Sequence, residues 1–318
     1  MLIDEILKQT EDFECGKANA IIIGGPTASG KTSLAIETEL KKNGEIVSCD
    51  SMQIYKYMDI GTAKPNAAER SSAVHHMIDI VDPWINYNVY EYKVQAEKCI
   101  NDIISRGKIP VIAGGTGLYI NSLIDNRQYV AEENPEIRKE LEAIAESGRY
   151  DELYEMLCEF DPEAANAIHK NNTKRVIRAI ELYKTTGKTQ KVRNEESLKS
   201  ESKINYKTFI IDMPREILYE RIEKRVDIML EEGLYNETVL IYNMCMNAVS
   251  NGEASACRIE DLTSLAAIGY REMIRHIFFN GMTLDETVEK IKINTRHYAK
   301  RQMTWFRKTP DAVFISNT

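Results

Sequence analysis

The sequence predicts an α/β protein in which a parallel sheet core is interrupted by an all-helical domain. Short apolar runs that suit buried strands alternate with amphipathic helical patterns in residues 20–131 and 203–318. The stretch between them has apolar residues at helical spacings of three and four and no strand candidate. We therefore predict an N-terminal extension at 1–19, an α/β core with C-terminal helices at 20–131 and 203–318, and an inserted helical domain at 132–202.

The first strand of this core, at 20–23, leads into the letters G-P-T-A-S-G-K-T, which match the G-x-x-x-x-G-K-[ST] phosphate loop. Backbone N–H groups of such a loop and the start of the following helix, predicted at 33–42, hold an anion. Lys31 adds a full charge, and the Thr32 hydroxyl can bind Mg²⁺, the one cofactor that we predict. The predicted diphosphate- or nucleotide-binding residues are Gly25, Pro26, Thr27, Ala28, Ser29, Gly30, Lys31 and Thr32. The alternative is a glycine turn that binds nothing.

The second predicted strand, at 45–50, ends on the carboxylate Asp50. Because the carboxyl ends of parallel strands form the ligand crevice of an α/β sheet, Asp50 is predicted to lie beside whatever the loop binds. A helix cap, a turn former or an outer Mg²⁺ ligand are the alternatives for this residue. The polar stretch 51–65 that follows is predicted to be a functional loop.

The rest of the core continues this alternation. We predict strands at 76–81, 109–113, 207–212 and 312–315, helices at 90–106 and within 215–308, and a polar linker at 195–202. Three glycines surround Thr116 in the turn 114–117, and we predict that they let the backbone approach a ligand closely. A structural tight turn is the alternative.

Composition narrows the class of protein. The chain has 318 residues and a net charge of −8, and no apolar run approaches the ~20 residues that a membrane span needs. The opening residues lack the basic-then-apolar order of a signal peptide, so we expect a cytoplasmic protein with no membrane segment. The six cysteines form no C-x-x-C pair or zinc-spaced cluster, and we predict free thiols.

Charge is segregated along the chain. Residues 290–308 hold seven Lys/Arg and no acid, and 170–193 is mostly basic, whereas acids crowd 132–163 and 231–261. Such segregation predicts a local phosphate-binding face on an acidic protein. Two solvated helix faces are the alternative.

Six motifs together resemble the bacterial tRNA dimethylallyltransferases. They are the segments 25–32, 50–53, 59–65, 114–116, 269–271 and 300–307, and their order and spacing span residues 21–307. The resemblance implies a phosphate-loop NTPase-like core with an inserted helical domain that contacts tRNA. It implies Mg²⁺-dependent transfer of a dimethylallyl group from dimethylallyl diphosphate to N6 of the adenosine just 3′ of the anticodon, with release of diphosphate. The partners implied are the tRNA anticodon stem-loop and the diphosphate donor, and we expect a monomer.

The resemblance also implies roles for single residues. Asp50 is expected to be the general base, with Thr116 beside it at the reaction channel. Lys31, which can neutralise the leaving group, is the third catalytic residue that we predict. The implied tRNA contacts are Asp50, Ser51, Met52, Gln53, Arg138, Lys174, Arg175, Arg178, Arg271, Lys300, Arg301 and Arg307.

Elementary chemistry gives these residue types a reason. Loss of diphosphate from an allylic carbon requires neutralisation of the leaving group, which the loop amides, Lys31 and Mg²⁺ supply where charge develops. Adenine N6 is a poor nucleophile, because its lone pair is delocalised into the ring. A carboxylate such as Asp50 within hydrogen-bond reach can take its proton as the new bond forms.

The basic segment 290–308 is predicted to be a two-faced helix. At 3.6 residues per turn, one face carries Ile291, Thr295, Tyr298, Gln302 and Trp305 and should pack on the core. A second face carries Lys292, Arg296, Lys300 and Arg307. We predict that this cationic stripe, Arg296 included, holds phosphates that flank the anticodon loop.

Three other functions compete with this one. A prenyltransferase of free adenine nucleotides would share the loop and the base, but the basic C-terminal segment and the helical insertion favour a bulky RNA substrate. A small-molecule kinase or ATPase would usually carry a Walker B carboxylate on a later strand, and residues 111–116 offer none. A tRNA-binding protein without catalysis is disfavoured because Asp50, Lys31 and Thr116 are all intact.

Overall fold

A computed structural model of the chain describes residues 2–125, 134–197 and 204–317. It divides into two compact units, Met1–Ile124 with Lys203–Thr318, and Asp125–Ser202. The start of the predicted insertion, residues 132 and 133, and the end of the predicted polar linker, 198–202, lie outside the described residues.

The first unit is built on a six-stranded sheet. Its strands are β1 (Asn19–Gly24), β2 (Gly44–Ser48), β3 (His75–His76), β4 (Ile109–Gly114), β5 (Asn205–Asp212) and β6 (Val313–Ser316). They lie in the order β3-β2-β4-β1-β5-β6, and every neighbouring pair is parallel. Helices and loops cover both faces of the sheet, and β1 and β4 in its centre are buried apolar runs rather than alternating ones. The predicted α/β fold class is confirmed.

The described residues form fourteen α-helices and two 3₁₀ turns, Ile259–Asp261 and Ser264–Ala266. The helices are α1 (Leu2–Gln9), α2 (Lys31–Lys42), α3 (Ala67–Ser72), α4 (Val89–Ser105), α5 (Gly117–Ile124), α6 (Pro135–Glu146), α7 (Tyr150–Phe160), α8 (Pro162–Ala167), α9 (Thr173–Thr186), α10 (Gln190–Ser197), α11 (Arg215–Glu231), α12 (Leu234–Ser250), α13 (Tyr270–Phe279) and α14 (Leu284–Phe306). Local sequence sets several ends: α14 begins with a capping box between Thr283 and Glu286. No described helix is long and apolar enough to cross a membrane.

Two hydrophobic clusters cover the two faces of the sheet. Successive residues of a strand point to opposite faces, so Ile22 joins one cluster while Ile21 and Ile23 join the other. The same division separates Ile210 from Phe209 on β5. This packing holds the carboxyl ends of β1, β2 and β4 at one edge, where the predicted functional residues follow them.

The second unit, as far as it is described, is wholly helical, as the spacing of apolar residues predicts. Leu141, Leu153, Leu157 and Ile180 are fully buried and form a core within this unit. Glu181 is also fully buried, and it pairs with arginines of the same unit. The prediction of an all-helical module in an α/β chain is therefore confirmed.

The strand predicted at 76–81 is wrong in extent, because β3 comprises only two residues. Met77 and Asp79 have φ angles of 62° and 57°, which an extended strand cannot contain. Val81 contributes only an isolated bridge to Tyr55. The carboxylate of Asp79 instead accepts hydrogen bonds from Lys64 and Arg70, which fold the chain back toward the 51–65 loop.

Candidate functional site

The predicted phosphate loop connects β1 to α2. Gly30 is the N-cap of α2 at a φ of 91°, in a region that favours glycine, and no side chain caps this helix. The first N–H groups of α2 are therefore open to an anion. Ser29 Oγ, within the loop, is buried without a hydrogen-bond partner among the described residues. This geometry suits a bound phosphate.

Two cations converge on the loop. Lys31 Nζ donates to the carbonyl of Pro26 at 2.6 Å, and Arg225 of α11 donates through Nη1 to Thr27 Oγ1 at 3.3 Å. Burial and, after it, the charge of Arg225 together lower the pKa of Lys31 to about 7, against the opposite effect of Asp50. Burial also lowers the pKa of Arg225. An anion bound here would offset both desolvation costs.

The sequence interpretation missed Arg225. It lies 198 residues from Thr27 in a helix with several other basic residues, and no spacing rule connects it to the loop. The one local signal is its place between Ile222 and Val226, which are both buried. An arginine on the core-facing side of a helix seldom lies there without a partner.

The strand predicted at 45–50 ends earlier, because β2 stops at Ser48, and Asp50 follows it within electrostatic reach of the loop. Its Oδ1 accepts the N–H of Met52 at 2.9 Å. The Asp50 charge raises the pKa of both Lys31 and Arg225 against the effect of burial. It is also the second cause, after burial, of the raised pKa of Tyr298 on α14. The charge of one carboxylate thus acts on two cations and a phenol.

The turn after β4 places Thr116 beside the Asp50 segment. Thr116 Oγ1 accepts the N–H of Ser51 at 3.0 Å and donates to Ser51 Oγ at 3.3 Å. The backbone N–H of Thr116 donates to the carbonyl of Cys49 at 3.2 Å. The residues on both sides of Asp50 are therefore fixed to this turn.

The glycines of this turn have a different reason from the predicted one. A Cβ on Gly114 would lie 2.0 Å from the Cys49 oxygen, one on Gly115 2.2 Å from Gln302 Nε2, and one on Gly117 2.3 Å from the Trp305 ring. Close approach of other protein atoms, rather than of a ligand, excludes side chains here. The alternative, a structural tight turn, is the better interpretation.

The 51–65 loop is fixed through Gln53 and Glu237. Gln53 Oε1 accepts from Ser48 Oγ, and its Nε2 donates to the carbonyls of Thr62 and Ala63. Glu237 of α12 accepts three successive N–H groups, from residues 59, 60 and 61, at 2.9, 2.9 and 3.0 Å. The sequence interpretation did not find Glu237, because its partners are backbone groups that carry no sequence signal.

The predicted faces of the basic helix are partly right. Ile291 and Gln302 of α14 are buried, but Trp305 is 38% exposed and Phe306 occupies the buried position instead. The prediction for Trp305 is wrong because its ring lies over Gly117 at the surface rather than in the core.

The predicted cationic stripe is shorter than the sequence indicates. Lys292 pairs with Asp227 at 2.6 Å, and Arg296 pairs with Glu223 and, at 3.2 Å, with Glu289. Two of these acids belong to α11, which packs beside α14, so half of the stripe faces carboxylates. The five remaining cations of the segment are exposed: Lys290, Lys300, Arg301, Arg307 and Lys308. Arg296 as a tRNA contact stays a prediction.

The other predicted tRNA contacts are divided between the two units. Arg271 contacts Glu272 in the first unit. In the second unit, Arg138 and Arg178 pair with Glu181, and Lys174 and Arg175 are exposed.

The donor set at the loop fits a phosphate-bound Mg²⁺ rather than a protein-held metal. No group of three or more His, Cys, Asp or Glu side chains in the described residues could hold a metal ion. Mg²⁺ keeps several waters and usually takes only one or two protein oxygens together with substrate phosphates. The Thr32 hydroxyl at the start of α2 matches this chemistry.

Comparisons with known proteins agree with one another. The family model described as IPP transferase matches residues 53–309. A curated tRNA dimethylallyltransferase of Acetivibrio thermocellus is 47% identical over 299 residues, which is 94% of this chain and 91% of the relative.

Solved structures give the same result. The tRNA isopentenylpyrophosphate transferase of Bacillus halodurans is 39% identical with a TM-score of 0.66, and the match covers 94% of this chain and 90% of that one. A eukaryotic dimethylallyltransferase acting on tRNA is 30% identical with a TM-score of 0.77, covering 94% of this chain and 74% of that one.

Proposed function

This chain belongs to the IPP transferase family and acts as a tRNA dimethylallyltransferase, and we propose that it transfers the dimethylallyl group from dimethylallyl diphosphate to N6 of the adenosine just 3′ of the anticodon. The observation that supports this reaction is the meeting of Lys31, Arg225 and the open start of α2 with a single carboxylate, Asp50. An anionic leaving group and a proton acceptor are the two requirements of such a transfer.

The diphosphate of the donor binds in the phosphate loop. As the bond between its bridging oxygen and the allylic carbon breaks, negative charge grows on the oxygen and positive charge on the carbon. Lys31 and Arg225 are desolvated, so as fixed donors they stabilise that oxygen more than water does, and the N–H groups at the start of α2 add to them. Diphosphate leaves with the electron pair of the broken bond.

Asp50 acts on the acceptor side. The N6 lone pair forms the new N–C bond, and one N6 proton passes to a carboxylate oxygen of Asp50. Met52 N–H already holds Oδ1, and Thr116 fixes Ser51, so the carboxylate is oriented before the substrate arrives. Geometry set in advance removes the need to reorganise during the reaction.

We propose Mg²⁺ as the cofactor, with the Thr32 hydroxyl as its protein ligand alongside phosphate oxygens of the donor. A bound Mg²⁺ supplies additional charge for the leaving diphosphate.

The acceptor is held by cationic surfaces. We propose that Lys300, Arg301 and Arg307 bind phosphates of the anticodon stem-loop, together with Lys174 and Arg175 of the helical unit. Contacts to phosphates fix the register of an RNA without reading its bases. Residues 50–53, which follow β2, are proposed to contact the target nucleotide. We further propose that the enzyme is a cytoplasmic monomer.

One experiment tests the reaction and separates it from the alternatives. The protein is incubated with Mg²⁺, dimethylallyl diphosphate and an unmodified tRNA transcript, and the digested nucleosides are identified by mass spectrometry. We expect N6-dimethylallyladenosine, and none from a matched transcript that carries guanosine at the target position. Product from adenosine monophosphate but not tRNA would favour the free-nucleotide transferase, and turnover of ATP alone would favour a kinase or ATPase.

A further inference from the structure

We propose that Gln302 is a positioning residue that holds the phosphate loop and the Thr116 turn at the separation that transfer requires. This inference rests on the proposed function, because it concerns the distance between the donor and the proton acceptor of that reaction. Gln302 lies on α14, in the basic segment proposed to bind tRNA, but its own side chain is turned inward and is only 6% exposed.

The carboxamide of Gln302 connects two loops. Its Oε1 accepts the N–H of Thr27 in the phosphate loop at 2.9 Å, and its Nε2 donates to the carbonyl of Gly115 at 2.8 Å. An N–H can pair only with the amide oxygen and a carbonyl only with the amide nitrogen, so the network fixes the orientation of this side chain. Both ends of the amide are occupied by functional loops.

Each of these loops carries one half of the reaction. Thr27 also accepts a hydrogen bond from Arg225, so the donor side is attached to Gln302 through one residue. On the other side, Gly115 precedes Thr116, whose hydroxyl fixes Ser51 next to Asp50. A chain of short contacts thus runs from the donor loop through Gln302 to the segment of the base. The space is tight, because any side chain at position 115 would collide with the Gln302 amide.

Packing of α14 does not account for an amide at this position. The helix is already anchored by Ile291, Ala299 and Phe306, all of them buried. A residue that served packing alone would need no polar partners, whereas a buried glutamine must find partners for both polar atoms. Its two hydrogen bonds to backbone groups both go to functional loops outside α14, and the side chain of Tyr298, one turn earlier on α14, contacts it as well.

The first test compares Gln302→Leu with wild type in single turnover at saturating tRNA and donor. We expect the rate of transfer to fall roughly 10- to 100-fold, because small misplacements of reacting groups cost about that much. The dissociation constant of inorganic diphosphate should change less than about threefold, since Lys31 and Arg225 remain. Ile291→Ala is the matched control, which destabilises α14 without touching either loop. A wild-type rate in Gln302→Leu, or an equal loss in the control at the same melting temperature, would overturn the proposal.

The second test uses Gln302→Glu, which can make both hydrogen bonds of Gln302 only while its carboxyl group is protonated. A protonated glutamic acid can accept from Thr27 N–H and donate to the Gly115 carbonyl, whereas an ionised one cannot donate. The variant rate divided by the wild-type rate should therefore rise from about pH 8 to about pH 6, since burial raises the pKa of a carboxyl group. The titratable and charged groups around this position are Tyr298, whose side chain contacts Gln302, and Arg225, which shares Thr27 with it. Division by the wild-type rate removes the pH effects that the two proteins share. A ratio that stays flat would contradict the role of the donated hydrogen bond.

The third measurement needs no catalysis. Hydrogen exchange at the Thr27 amide should speed up in Gln302→Leu and stay slow in Ile291→Ala, with diphosphate and tRNA both absent. Unchanged exchange would show that Gln302 does not hold the loop, even if the variant were inactive. Failure of wild type to modify tRNA would instead remove the proposed function, so the two failures are distinguishable.

Discussion

The cations at the phosphate loop and the cations on α14 have opposite surroundings. At the loop, burial lowers the pKa of both Lys31 and Arg225, and Asp50 is the carboxylate whose charge acts on them both. On α14, Lys292 and Arg296 each pair directly with acids of the neighbouring helix α11. The loop holds positive charge at a desolvation cost, whereas the helix balances much of its charge within the protein.

This difference shows what basic residues in a sequence do and do not indicate. Residues 290–308 are the most basic stretch of the chain, yet part of that charge faces carboxylates. The phosphate loop contributes only Lys31, yet the buried surroundings of this lysine favour a bound anion. Solvation and partners, more than the count of charges, decide where a phosphate binds.

The largest expected effect comes from removing the carboxylate that faces the loop cations. Asp50→Ala should slow the chemical step ~10²- to 10⁴-fold, the usual contribution of a positioned base. Affinity for tRNA should stay nearly intact, and diphosphate should bind at least as well, because a like charge has been removed. Asp227→Ala, which removes a carboxylate from the α14 side, is the control. A near wild-type single-turnover rate for Asp50→Ala would show that Asp50 is not the general base.

Removing the second loop cation should have the next largest effect. Arg225→Ala should weaken binding of dimethylallyl diphosphate roughly 10- to 100-fold, since a hydrogen bond to a charged group contributes about 1.5–3 kcal/mol. Calorimetric titration with the donor measures this directly. Lys224→Ala changes an exposed lysine of the same helix that pairs with Glu220, and it should leave the affinity unchanged. Equal affinities for the two variants would place the diphosphate away from Arg225.

The pH dependence of donor binding tests the desolvation of Lys31. In the free protein its pKa is about 7, and a bound diphosphate should raise that pKa by its negative charge. At low pH, Lys31 is then charged both in the free protein and in the donor complex. Above about pH 7 it is neutral in the free protein, so it must take up a proton when the donor binds. Affinity should therefore fall up to about tenfold per pH unit above 7, with proton uptake visible in buffers of different ionisation enthalpy.

Two variants at the same position serve as controls for that measurement. Lys31→Arg keeps its charge over this pH range and should bind donor with a flatter profile, while Lys31→Ala should bind weakly at every pH. A wild-type profile as flat as that of Lys31→Arg would show that the lysine is fully charged in the free protein.

The smallest expected effect is on the salt dependence of tRNA binding. It distinguishes the two halves of the cationic stripe on α14, Lys300 with Arg307 and Lys292 with Arg296. Replacing Lys300 and Arg307 together by Gln should lower the slope of log affinity for tRNA against log salt, by about 0.7–0.9 for each phosphate that the variant no longer binds. Replacing Lys292 and Arg296 by Gln should change that slope much less, because carboxylates already neutralise them. If the second pair changed the slope as much as the first, the paired cations would be the ones that bind RNA.

Much of the architecture follows from the sequence alone because the signals are local. The apolar runs on both sides of the phosphate loop, the glycine-rich letters between them and the helical spacing from residue 134 onward each depend on neighbours in the chain. The place of Asp50 follows from a general rule about strand ends in parallel sheets. The length of β3 is an exception. The residues after it that have positive φ angles are Met77 and Asp79, and because neither is a glycine, the sequence gives no sign that the strand ends there.

Tertiary structure decided the rest, since the relevant partners are far apart in the chain. Arg225 reaches Thr27 across 198 residues, and Gln302 reaches the same residue across 275. The sequence predicted that Lys292 and Arg296 are free to bind phosphates. They instead pair with acids of α11, which share no sequence pattern with α14. The sequence by itself determined which segments become strands, helices and an anion-binding loop, because those depend on local backbone preference and burial. Only the folded chain determined which side chains meet at the loop, because contact and desolvation arise when distant segments pack together.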